Sequence, residues 1–142
     1  MSGTAIIRYL LANHAGLTAL VPATRIMAGI LPIEGTMPAI SVRQITGNQN
    51  NTLGMNEAAY LVTHRVQVTV FAKDVDGDTD YSGYERVKTI LAQVRAACPQ
   101  TYGTTNGVDC DSIYPDTEGP DLYDPESLLY SQSQDFMVSF RR

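Results

Sequence analysis

Tryptophan is absent from the 142 residues, and only two cysteines and two histidines occur. Cys98 and Cys110 are too few to staple a secreted scaffold, so reduced thiols are expected. The chain has no zinc-type spacing, no glycine-rich phosphate loop behind a strand and no nucleophile elbow. Basic runs are missing too: Arg8, Arg25, Arg43, Arg65, Lys73, Arg86, Lys88 and Arg95 are scattered, and only the terminal Arg141 and Arg142 adjoin. With a formal net charge of −5, this argues against a grip on a nucleic-acid backbone or an anionic membrane. No segment approaches the roughly 20 apolar residues that span a bilayer. The opening MSGTAIIRYLLANHAGL is interrupted by Arg8 and Asn13 and does not read as a signal peptide. A soluble protein made in a cytoplasm is expected.

What is present suits one domain over residues 1–142, since 44% apolar residues can fill a core at this length. Ile6, Ile7, Leu10, Leu11, Leu17, Leu20 and Val21 recur at three- and four-residue spacings and predict a helix within 4–21. Ser2 or Thr4 can cap it, Gly16 divides it into a helix and a separate turn, and Pro22 ends it. Short extended pieces follow at 25–31 and 39–45. The Asn- and Gly-rich stretch 46–58 has no period and reads as a long loop. In 60–73, Val62, His64, Val66, Val68 and Val70 alternate with Thr63, Arg65, Gln67, Thr69 and Phe71, the pattern of a half-buried central strand.

A second helix is predicted over 81–97, with Tyr84, Val87, Ile90, Leu91 and Val94 inward and a capping box from Ser82 and Glu85 or a cap from Asp80. The rest reads as strand 108–114, entered through an Asn106-Gly107 turn, then an acidic, Pro-rich connection over 115–127, then strand 128–140. Helix, strands, helix, strands with hairpin-like joins predict an α+β domain, an antiparallel or mixed sheet packed against two helices.

Candidate chemistry is sparse. Asp74, Asp76 and Asp78 alternate, and Glu85 stands twelfth from Asp74, close to a calcium loop. Thr79 occupies the sixth position, where such a loop needs Gly, and a strand precedes it instead of a helix. The preferred reading is a solvated strand-to-helix turn with carboxylates favourably placed at a helix N-terminus. His64 lies on the apolar face of the central strand and reads as a hydrogen-bonded core or interface histidine. Cys98 ends a helix, where the dipole disfavours a thiolate. No catalytic residue, metal or cofactor is expected.

The linear arrangement resembles the tail-completion or tail-terminator proteins of long-tailed bacteriophages. The resemblance runs through LTALVPATRIMAGILP, MPAISVRQI, HRVQVTVFAKD, YERVKTILAQVRAA and the closing SLLYSQSQDFMVSFRR. It implies a virion subunit at the head-proximal end of the tail, assembled in the host cytoplasm. Such subunits form a closed ring, typically of six copies, which stops tube growth and docks the neck of the capsid. Implied partners are other copies of the chain, the tail-tube protein and head–neck connector proteins, with genomic DNA passing through the lumen unbound. The connection at 115–126 matches no family element.

Two alternatives stand beside this reading: another head–tail joining or minor tail protein, and a small enzyme or ligand-binding domain with an unmarked pocket. In the ring reading, Arg43, Asn48, Asn51, Leu53, Met55 and Arg65 are the candidates for subunit contact. The two arginines would hold carboxylates of the next copy with their planar forks.

Overall fold

Strict alternation of β-branched residues builds the middle of the sheet. The computed structural model describes residues 2–29, 36–50, 60–74, 82–98, 101–105 and 108–141, and of 101–105, 108 and 109 the backbone alone. Strand β3 (Leu61–Ala72) buries every second side chain, the predicted set Val62, His64, Val66, Val68 and Val70. It pairs antiparallel with β2 (Ala39–Asn50) on one side and β7 (Leu129–Arg141) on the other. β1 (Ile26–Ala28) lies parallel to the start of β2. β5 (Val108–Glu118) pairs with β7, and β4 (Thr101–Thr105) pairs with β5. The order is β1-β2-β3-β7-β5-β4, with β6 (Leu122–Asp124) added beside β7. The result is a mixed sheet in an α+β domain.

Among the described residues, helices cover one face of the sheet. α1 (Gly3–Ala12) is capped by the Ser2 hydroxyl, which accepts from the Ala5 amide at 3.2 Å. Ile6, Ile7 and Leu11 face the core. The break before the one-turn α2 (Ala15–Thr18) falls at Asn13 and His14, just ahead of Gly16. Leu20, expected in the buried stripe, is 40% exposed because the chain has left the helix there. α3 (Ser82–Ala97) buries Val87, Ile90, Leu91 and Val94 over β3 and β7, in one cluster with Val66, Val68, Val70 and Phe136.

Three predicted boundaries are corrected. Residues 46–50 are the second half of β2, held by pairing with Leu61–Arg65; a well-formed partner strand overrides the weak strand propensity of Asn and Gly. The remaining loop positions, 51–58, lie outside the described residues. The connection 115–127 contains the end of β5 and all of β6, so it is strand in part instead of a plain loop. β4 has no counterpart in the sequence reading, being five residues long with a Gly inside. Its Thr105 pairs with Val108; the predicted Asn106-Gly107 turn lies outside the described residues.

Candidate assembly surface

The face of the sheet turned away from the helices carries few apolar groups. Thr63, Gln67, Thr69, Ser131, Ser133 and Ser139 stand half-buried across β3 and β7. Their hydroxyls and amides bond one another: Thr63 and Ser139 lie 3.0 Å apart, and Gln67 Nε2 donates to Ser133 Oγ at 3.5 Å. Arg65 stands among them. Its fork reaches Asp116 at 2.6 Å and Asp135 at 3.0 Å. Its hydrogen bonds to Asp135 first and to Asp116 next hold the guanidinium in its charged form, raising its pKa. A contact with the next copy was expected of Arg65; in the subunit it ties β3 to β5 and β7 of its own chain.

Arg43 is placed differently. It is exposed at the start of the free half of β2, and both its Nε and Nη2 donate to the neutral Gln67 Oε1, at 3.2 and 3.0 Å. Among the described residues it meets no carboxylate. Asn48 is exposed further along the same strand, whereas Asn51, Leu53 and Met55 lie outside the described residues. Met37, Arg43, Phe71, Pro120, Leu122 and Leu129 help to line a groove of ≈ 620 Å³ at one end of this face.

One wall of that groove is the acidic connection, and its anchoring was not legible from sequence. Gln132 and Gln134 occupy core-facing positions of β7 at 5% and 3% exposure. They hold the connection by its main chain: Gln132 Nε2 donates to the Gly119 carbonyl at 2.8 Å and Gln134 Nε2 to the Thr117 carbonyl at 3.3 Å. Lys88 of α3 closes the clamp, donating to Gln132 Oε1 at 2.7 Å and to Asp121 at 2.5 Å. The Tyr84 hydroxyl adds a bond to Asp121 at 3.2 Å. The Lys88 pair raises the ammonium pKa and lowers that of Asp121. Beyond β6, Asp124 accepts from the Glu126 amide and the Ser127 hydroxyl in a tight turn. Leu122, Tyr123 and Leu128 are 58%, 49% and 56% exposed around it.

The residues singled out for chemistry have structural partners. Asp74 Oδ1 accepts from the Gly83 amide at 2.7 Å, so the first turn of α3 is held from the end of β3. Ser82, expected as the cap, is the first residue of α3 and buried, and Glu85 is exposed in the same turn. Asp76, Asp78 and Asp80 lie outside the described residues. Among the described residues no three metal-ligating side chains converge. His64 is buried as expected: its Nδ1 accepts from the Gly3 amide at 3.0 Å, and its ring stands edge-on to Phe140 at 5.0 Å. His14 contacts Gln93 at 3.2 Å. Cys98 and Cys110 are both buried, and burial pushes the Cys98 pKa up to about 12.

These features define an α+β domain whose polar groups serve to join strands and whose outer sheet face and edges stand uncovered among the described residues. The family model of Tail completion protein gp17 matches residues 5–141, and the chain belongs to this family of structural virion tail proteins. A chain of the virion of a native gene transfer agent particle superposes with TM-score 0.68 at 13% identity, covering 99% of this chain and 96% of that one. A second solved chain superposes with TM-score 0.52 at 14% identity, covering 97% and 96%. At such identities the likeness is one of fold. No curated protein matches the sequence.

Proposed function

We propose that the protein is the tail terminator: a ring of subunits, six in number, that caps the head-proximal end of the tail tube. The ring stops tube polymerisation and offers the capsid neck its docking surface. The family match over 5–141 carries this reading. The gene transfer agent neighbour supports it, since that fold serves in a phage-like particle. Heterologous contacts close into a ring when the rotation between subunits matches, and this sheet leaves suitable edges free. A net charge of −5 suits a lumen through which DNA slides without adhering. Among the described residues, the proposed contact positions Arg43 and Asn48 are exposed on the outer half of β2.

Electron microscopy of the purified protein, alone and mixed with tail tubes, tests the proposal. Rings in the first sample and capped tube ends in the second are expected. Binding to the capsid neck with bare tube ends would make the protein another head–tail joining component. Single subunits that bind neither would overturn the assignment.

A further inference from the structure

The sheet ends in two unequal open edges. At one end, β1 pairs only with Ile40, Ser41 and Val42 of β2. From Arg43 to Asn50 the outer side of β2 therefore has no strand partner among the described residues, and all eight residues are exposed. At the other end, β4 (Thr101–Thr105) terminates the strand order. An open strand edge is a row of unanswered amides and carbonyls, the natural template for another strand. Monomeric proteins blunt such edges with lysines, prolines or a covering segment. Residues 43–50 hold no Lys and no Pro, and Arg43 is their one charge.

We propose that residues 43–50 of β2 accept β4 of a second copy, so that the sheet of one subunit continues into the next. This rests on the ring reading above and names its contact. Two different edges meeting head to tail give the heterologous interface that closes rings, whereas one edge meeting itself would give a two-fold dimer. The five residues of β4 fit within the eight of the free edge. Charge favours the same polarity. Arg25 and Arg43, at the β1–β2 end, form no ion pair among the described residues. Between Arg95 and Arg141 the chain has eight carboxylates and no Lys or Arg, and this stretch supplies β4 and β5. Of these carboxylates, Asp111, Asp116, Glu118, Asp121 and Asp135 already pair with cations of their own subunit, so Arg25 and Arg43 are the part of this polarity left to a neighbour.

The experiment combines hydrogen exchange with two proline variants. Neighbouring residues of a strand point their amides to opposite sides, so of Asn48→Pro and Gln49→Pro one loses an amide facing β3 and the other an amide facing outward. The outward variant is expected to melt like the wild-type subunit yet fail to assemble by sedimentation. In the wild type, amides within both 43–50 and 101–105 are expected to exchange roughly tenfold slower or more in the ring than in dissociated subunits. Slowing at 43–50 decides the matter should either variant fail to fold. Rings from wild type and both variants alike, or unchanged exchange at 43–50, would overturn this contact while the ring stands. A dimer protected at 43–50 alone would overturn the head-to-tail polarity. A wild type that stays monomeric removes the ring reading and this contact with it.

Discussion

Replacing Gln132 with Leu tests the idea that the acidic connection is held by its backbone. Gln132 is 5% exposed, and Leu is close to it in volume, so packing is largely kept while two hydrogen bonds go. The bond to the Gly119 carbonyl is neutral, at 2.8 Å. Its loss costs about 1 kcal/mol, because the half-exposed Gly119 can turn its oxygen to water. The bond from Lys88 is charge-assisted and buried examples reach about 3 kcal/mol. Lys88 is 35% exposed and keeps Asp121, so screening reduces this to about 0.5 kcal/mol. Extra apolar burial returns part of the sum, leaving a loss of about 1 kcal/mol. For a chain of this size that lowers the melting temperature by about 3–5 °C. The sharper readout is local: amides over 116–126 should exchange faster while those of β3 stay unchanged. A variant with wild-type exchange in that segment would show that Gln132 does not anchor it.

Four further outcomes follow from the same geometry. Val68→Asp places an unpaired carboxylate at a site of 0% exposure and should cost several kcal/mol; an unchanged melting temperature would refute the core assignment. Gly3→Ala should destabilise despite the better helix propensity of Ala, worth up to about 1 kcal/mol. The new Cβ would stand 2.9 Å from His64 Cβ and 3.1 Å from Val66 Cγ2, and overpacking costs about 1–3 kcal/mol; a raised melting temperature would count against it.

The Lys88–Asp121 clamp has a pH window set by both partners. The raised Lys88 pKa gives stability that is full below the free-lysine value and is lost as pH rises through the folded value. The lowered Asp121 pKa gives stability present above the free-carboxyl value and lost as pH falls through the folded one. The melting difference between wild type and Lys88→Met should therefore be flat across neutral pH and shrink at both extremes. Finally, Cys98, with its pKa pushed up to about 12, should resist a thiol reagent at neutral pH until the protein is unfolded. Labelling of the native protein at Cys98 would refute its burial.

The core was legible where period and chemistry agreed. β3, α1 and α3 carry uninterrupted stripes, and the buried residues found there are largely those the spacing selects. Legibility failed where partners in space supplied what local sequence did not. The stretch Thr46–Asn50 becomes strand because β3 offers it a ladder. Gln132 and Gln134 look like solvent residues, yet they point inward to receive a carbonyl each. Asp74, by contrast, reads from sequence as a carboxylate at a helix N-terminus, and there it accepts from the Gly83 amide. Arg65 reads as a free cation until β5 and β7 bring it two carboxylates from sequence positions far away. Of the proposed contact positions, Arg43 and Asn48 are chosen from sequence alone, whereas the edge they occupy among the described residues is a property of topology.

The irregularity in β2 has a further consequence. Between Gln44 and Thr46 the register slips, Gln44 pairing with Val66 and Thr46 with Arg65, so Ile45 is an extra residue. A bulge of this kind exchanges odd and even positions. Before it, even-numbered residues share the helix side with Val42; after it, odd-numbered Gly47 lies across from His64. The two halves of one strand are thereby out of phase. Regular pairing with Ile45 kept in the ladder would instead set Ile45 across from Arg65 and Thr46 across from His64, turning the outer half of β2 over; a Cβ at position 47 would stand 2.8 Å from the His64 ring, so the bulge brings a residue without a side chain to that place. The bulge at Ile45 thus sets which side chains the outer half of β2 shows to each side.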